Sequence, residues 1–298
     1  MTSSSIDRPA ASREAGQTAA GQTAAGQTAA GGALPPRRRS TGSALTRWLL
    51  PIGVIVVVLC IWQAVVAIFG LKPYFVPSPT LIARTFWDNA GTIGDNTVPT
   101  VLQAVTGFAI GNALAIVLSI WFVHVRPARR ALYPLAIILQ SIPLVALAPV
   151  AIVTLGTGFT TKVVMTAIIS FFPTLVNMMR GLDSIDPSLV ELFKSVHATR
   201  ADVLWKLRWP SALPYLFSGL RITASASVVG AIIVEWIGSD TGLGYMVINS
   251  TYQFNTPLLW AALVASSLLV LAAFGLVALA ERLLIPWNTS GVDRGDAG

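Results

Sequence analysis

Arg221 and Glu235 are the only charged side chains inside the long apolar runs of this chain, so any chemistry buried in those runs has to start from them. A charge in hydrocarbon is costly, and such a residue faces the protein interior, a water-filled passage or an opposite charge. Glu235 is close to the end of its run. It either bonds a neighbouring backbone donor or meets a molecule in transit. Other chemistries lack residues to carry them. Cys60 is the sole cysteine, and His124 and His197 are the sole histidines, both in expected interfacial loops. That set offers neither an intrachain disulfide nor a Cys-based metal site. The segment Gly156-Thr157-Gly158-Phe159-Thr160-Thr161-Lys162-Val163 comes nearest to a phosphate-binding loop, but it lacks the glycine before lysine and the hydroxyl after it. His-Glu-x-x-His and Gly-x-Ser-x-Gly are absent. The chain is not expected to be an enzyme; an intramembrane enzyme stands only as a rival reading.

A second constellation lies between residues 180 and 214. Asp186-Pro187 is a helix start, with Asp as N-cap and Pro in the first turn. Leu189, Leu192, Phe193 and Val196 then recur at i, i+3, i+4 and i+7, which makes one apolar stripe beside Glu191 and Lys194. Thr199 with Asp202 three residues on resembles a capping box for a second helix, expected to run through Trp205 and stop at Pro210. Pro214 would open the next apolar run. Two short amphipathic helices on a basic loop are either a surface-lying segment or a docking element for a soluble partner.

The elements that position these residues are six apolar stretches: Trp48–Phe69, Thr100–Val123, Leu132–Leu155, Val163–Met179, Leu213–Ile237 and Leu258–Leu279. Each approaches the length of about 20 residues that spans a bilayer as a helix. Hydrophobic residues make up 54% and charged residues 11% of the chain, too little polar surface to cover a soluble core of six apolar helices. The expectation is an all-α polytopic membrane protein with six transmembrane helices. Of 20 Lys and Arg, only Lys72, Arg84 and Lys162 fall on one side of these spans. The positive-inside rule then puts both termini and the loop of residues 180–214 in the cytoplasm, and assigns the basic excess to topology rather than to nucleic acid. Trp48, Phe69, Trp121, Phe122, Tyr133, Trp236, Trp260 and Trp287 mark the interfaces.

Residues 1–47 read as a disordered tail, with Ala-Gly-Gln-Thr-Ala repeated three times over Ala15–Ala29, either a docking tail or a dispensable extension. Arg37-Arg38-Arg39 precedes an apolar run too long for a signal peptide, so an uncleaved first helix is expected. Residues 48–285 form the membrane domain and 286–298 a second tail. In the outer segment Gly70–Pro99, Ser78 and Pro79 start a short helix whose stripe of Leu81, Ile82, Thr85 and Phe86 suits a membrane surface, as a packed lid or a receptor contact. The third span contains Pro143 and Pro149, which permit a kink, with Gln140 and Ser141 just ahead. Those polar groups serve interhelical bonding or a transport pathway.

Glu191 followed nineteen residues later by Pro210-Ser211-Ala212-Leu213-Pro214 resembles the EAA loop of binding-protein-dependent ABC importer permeases. The likeness continues through Tyr215–Arg221, Val234-Glu235-Trp236-Ile237-Gly238 and Gly242-Leu243-Gly244-Tyr245. It also takes in Gln140-Ser141-Ile142-Pro143, Ala148-Pro149, Phe171–Asn177 and Pro77-Ser78-Pro79. It covers about residues 48–285 and is nearest to the nitrate, sulfonate and taurine branch, which includes carriers of pyrimidine precursors and flavins. The chain departs from the family where Leu192-Phe193 replaces Ala-Ala and His197 replaces the turn glycine.

The resemblance implies a type I importer permease fold. It implies a homodimer or paired permease, two cytoplasmic ATPase subunits, and an extracytoplasmic substrate-binding protein. ATP and magnesium would be held by the ATPase, with no cofactor in this chain. Glu191, Leu192, Phe193, His197 and Pro210 would couple to the ATPase, and Gln140, Ser141, Pro143 and Glu235 are pathway or gate candidates. The rival transport reading is an ion-coupled carrier or channel, for which ionisable residues should recur through several spans.

Overall fold

A computed structural model describes the backbone of residues 44–287. The tail expected over residues 1–47 lies, apart from its last four residues, outside the described residues, as do residues 288–298 of the second tail. Two units divide at Pro51, Met1–Pro51 and Ile52–Gly298, and the second holds the helical bundle.

The described chain is helical, without strands. The helices are α1 (Ala44–Ile68), α2 (Pro79–Asp88), α3 (Ala90–His124), α4 (Arg126–Gln140), α5 (Leu144–Leu155) and α6 (Phe159–Asp183). They continue with α7 (Pro187–Ser195), α8 (Arg200–Asp202), a π-helical stretch Val203–Arg208, α9 (Trp209–Gly238), α10 (Leu243–Tyr252) and α11 (Thr256–Leu284). Among the described residues, five helical segments are long and apolar enough to span: Leu49–Ile68, Ala90–His124, Phe159–Asp183, Arg200–Gly238 and Thr256–Leu284. The expected third span is not one helix. Its halves meet at 103° across Ser141–Pro143, a broken span or a re-entrant loop. Pro143, expected inside the helix, caps α5 instead with φ −63° and ψ 121°. The residue before a proline is also driven out of the α region, so Ile142-Pro143 breaks the helix where Pro149 inside α5 does not.

Two boundaries move for identifiable reasons. The second span begins at Ala90 rather than Thr100, because the helix accommodates Pro99. Thr100 Oγ1 lies 3.2 Å from Asn96 O in the turn beside the missing proline N–H, a second acceptor within reach of its hydroxyl. The helix opened by Thr199 does not stop at Pro210. The π-helical turns Val203–Arg208 come immediately before the proline and join α8 to α9 in one continuous path. A wider helical register is one way to relieve a ring that clashes with the preceding turn.

The centre is the packing of α3, α6 and α9. Gly111 on α3 meets α6 so closely that a Cβ would sit 2.3 Å from Ala167 O, so only glycine permits this approach. One polar knot joins the three helices: Asn112 Oδ1 accepts from Thr174 Oγ1 and from Thr223 Oγ1, all three side chains being buried. In contrast, the α1 residues from Ile52 to Leu59 are exposed throughout, as a lipid-facing helix requires. Helix α2 starts as expected, with Ser78 Oγ accepting from Leu81 N. Ile82 is buried, and Phe86 packs on a cluster containing Leu243, Met246 and Ala262, which is the packed-lid arrangement.

Candidate functional site

The basic loop is built almost wholly from local caps. Asp186 Oδ1 accepts from Ser188 N at 2.9 Å and starts α7. That backbone donor holds the Asp186 carboxyl below its ordinary value. Helix α7 buries none of its side chains. Leu189, Leu192 and Val196 are 43%, 58% and 69% exposed, and Phe193 is half-buried. Glu191 stands exposed beside them. An apolar stripe left uncovered on a nine-residue helix is not that of a core helix.

His197 ends α7 in the left-handed conformation, at φ 59°. The N–H of His197 bonds Lys194 O and that of Ala198 bonds Phe193 O, both at 3.0 Å, which is the Schellman closure. The histidine therefore occupies the position that glycine favours, and the turn forms without the glycine.

Thr199 and Asp202 make the reciprocal capping box, each side chain accepting from the other residue's backbone N–H at 3.1 Å. The Lys206 ammonium and the Thr199 donors pull the Asp202 carboxyl down to about 2. A depressed carboxyl stabilises above its unfolded value and loses that effect as pH falls towards the folded value, so this cap is intact from neutral to mildly acid pH.

The loop is anchored by Leu204, buried with Met178, Leu182, Ala212 and Leu216 between α6 and α9. Arg208 Nη1 also donates to Leu182 O at 3.4 Å. Pro210 lies in the first turn of α9, on the far side of this anchor. Leu204 thus ties the π-helical stretch to α6, and the backbone runs from it without a break into α9.

Glu235 sits at the opposite end of α9 and is fully buried. Its carboxyl accepts from Thr100 Oγ1 at 2.8 Å and from Gly244 N at 2.8 Å. Thr100 Oγ1 in turn accepts from Leu243 N at 2.9 Å, and Asn96 Oδ1 accepts from Gly242 N at 3.0 Å. Three successive N–H groups at the start of α10, which have no partner within the helix, are thereby caught by side chains of α3 and α9. A carboxylate also suits the positive end of a helix dipole. Gly242 has φ 107°, and a Cβ there would fall 2.2 Å from Glu235 Oε1. The carboxyl is turned away from lipid and bonds a backbone donor, the Gly244 N–H.

The other pathway candidates lie elsewhere, at the α4–α5 elbow, and are exposed. Gln140 lines a cavity of about 260 Å³ with Phe172, Pro173 and Ala226. Ser141 Oγ bonds Ile137 O of its own helix at 3.4 Å, and among the described residues neither Gln140 nor Ser141 bonds another helix. The elbow and Glu235 are not brought together.

Sequence reasoning misses several partners. Arg221 pairs with Glu281 of α11 at 2.5 Å, a close charge contact whose atoms are not aligned for a hydrogen bond. A basic residue inside a span demands such a partner, and Glu281, just beyond the expected last span, is the available carboxylate. Helix α10 reads in the sequence only as a turn. The signal for its capping is Glu235, the carboxylate inside the apolar run seven residues ahead of Gly242-Leu243-Gly244.

Residues 107–286 match the family described as binding-protein-dependent transport system inner membrane component, and the chain belongs to that family. It is 35% identical to the riboflavin transport system permease protein of Chloroflexus aurantiacus, over 79% of this chain and 89% of that protein. It is 34% identical to the formylaminopyrimidine transport permease protein of Halalkalibacterium halodurans, over 76% and 91%. The taurine transport system permease protein of Escherichia coli is 28% identical, over 80% and 90%. Among solved structures, a chain of the MetNI methionine ABC transporter in an inward-facing conformation superposes with a TM-score of 0.53 at 22% identity. The match covers 66% of this chain and 96% of that one, a likeness of fold. The architecture is that of a type I ABC importer permease in a multi-pass membrane protein.

Proposed function

We propose that this chain is the membrane-spanning permease of an ATP-driven importer for a small heterocyclic solute of the flavin or pyrimidine class. The stripe of α7, Leu189, Leu192, Phe193 and Val196, carries the reading, because a short helix with an apolar face that the chain leaves largely exposed is built to receive a partner. The partner is a cytoplasmic ATPase that holds ATP and magnesium, one on each permease of a homodimer. An extracytoplasmic binding protein delivers the solute. Alternating access results when ATPase closure moves α7 and, through Leu204 and the π-helical turns, the α6 and α9 core. Glu191, Leu192, Phe193, His197 and Pro210 are the coupling residues.

The substrate class rests on the two relatives at 35% and 34% identity, named for riboflavin and formylaminopyrimidine, against 28% for the taurine permease. The cavity of Gln140 and Phe172 beside the elbow offers an amide and an aromatic ring, a fitting surface for a planar heterocycle in passage. The cognate binding protein, purified without added ligand, is expected to retain a flavin or a pyrimidine. A sulfonate or nitrate in its place would move the chain to the other part of the family.

The orientation is argued from the basic residues, with the α7 loop and both termini in the cytoplasm. In a Cys60→Ser background, cysteine placed at Asn89 should react with an impermeant thiol reagent on intact cells and cysteine at Ser195 should be protected. The reverse pattern would invert the topology.

A further inference from the structure

A cavity of about 510 Å³ separates the α7–α8 loop from the end of α3, within the size range of small-molecule sites. Lys194, Arg200, Arg208 and His124 line it, and no carboxylate does. Val123, Val190 and Val203 supply apolar wall. Of the acids in and beside the loop, Asp202 is held by Lys206 and Thr199, Asp183 by Arg129 and Asp186 by the Ser188 N–H, while Glu191 stands exposed on α7. Among the described residues, Lys194, Arg200 and Arg208 form no ion pair; Arg208 gives one N–H to Leu182 O. His124 is held by its own helix, Nδ1 lying 2.8 Å from Ile120 O.

Two guanidinium groups and an ammonium around one concavity repel one another until an anion enters. Guanidinium groups with an ammonium match the tetrahedral, multiply charged oxygens of a phosphoryl group. The cavity also lies where the apolar α3 gives way to the basic loop, the depth of lipid headgroups on that face. We infer that this cavity is a binding site for a phosphoryl-bearing anion that ties the α7–α8 loop to the end of α3. A lipid headgroup and a soluble phosphate share that chemistry. A cavity with walls on two sides favours a small anion over the acidic surface of a protein. The site belongs to this chain alone and is independent of whether an ATPase docks on α7.

The test uses the full-length chain in nanodiscs. In neutral phosphatidylcholine, titration with inorganic pyrophosphate reads the soluble source. In discs with added photoactivatable phosphatidylglycerol, cross-linking to the α7–α8 loop reads the lipid source. Lys194→Gln with Arg200→Gln removes two exposed cations without opening the core, and Lys206→Gln, which does not line the cavity, controls for overall charge. At least one probe should bind, should weaken about tenfold or more in the double variant, as loss of two charge-assisted bonds predicts, and should be unchanged in Lys206→Gln. Binding should also fall with added salt. Equal thermal stability of the three proteins excludes misfolding as the cause, and Lys194→Glu, a single reversal, should weaken binding likewise. Binding of neither probe, equal loss in Lys206→Gln, or retention of full binding in the double variant overturns the site, as does capture of acidic protein segments alone.

Discussion

Phe193→Asp is expected to leave the chain inserted at normal abundance while transport falls by about tenfold or more. Phe193 is half-buried in an apolar stripe whose other members are exposed, and α7 fully buries none of its side chains, so its substitution costs the isolated permease little. At a docked surface the new carboxylate must be stripped of water without a partner, which costs several kcal/mol, and about 1.4 kcal/mol already corresponds to tenfold. Glu191→Ala, which removes an exposed charge at the edge of the stripe, should do less. Transport and ATPase stimulation at matched membrane abundance decide it. Wild-type values for Phe193→Asp would remove α7 from the coupling role.

Glu235→Ala should damage the permease itself. The change strands Thr100 and the Gly244 N–H inside a buried junction and leaves a cavity at the start of α10. Lost bonds to a charged acceptor cost about 1.5–3 kcal/mol each, so a large fall in thermal stability in detergent should accompany the loss of transport. Glu235→Gln is expected to be milder. Its amide oxygen still accepts from Gly244 N, its NH₂ can donate to Thr100 Oγ1, and Thr100 can turn its proton to Asn96 O, 3.2 Å away. Equal, wild-type behaviour of both variants would show that the junction holds without the carboxyl.

Local signals in the sequence are legible where a cap decides the structure. Ser78-Pro79, Asp186-Pro187 and the Thr199–Asp202 box each start a helix as their side chains demand. Apolar length locates the spans for the same reason, since backbone groups in lipid must be satisfied within the segment. The features that stay hidden depend on contacts distant in sequence. Proline in a span reads as a kink, and no local pattern says that the chain breaks at Pro143, with a 103° elbow, and runs on through Pro149. Pro210 reads as a stop, yet the π-helical turns carry the helix past it. Glu235 stands out as a lone carboxylate, but Thr100 lies 135 residues away and no local pattern links them. Likewise His197 departs from the family's turn glycine, and the turn closes through backbone bonds that the residue type does not reveal.

The central claim is that import through this chain is driven by ATP on a partner docked at α7. The direct measurement is uptake of labelled solute into proteoliposomes holding this permease, its cognate ATPase and its loaded binding protein. Accumulation should require ATP and the binding protein, survive collapse of ion gradients by ionophores, and be lost with Phe193→Asp. Uptake that proceeds without ATP and collapses with the ion gradient would contradict the claim and make the chain an ion-coupled carrier.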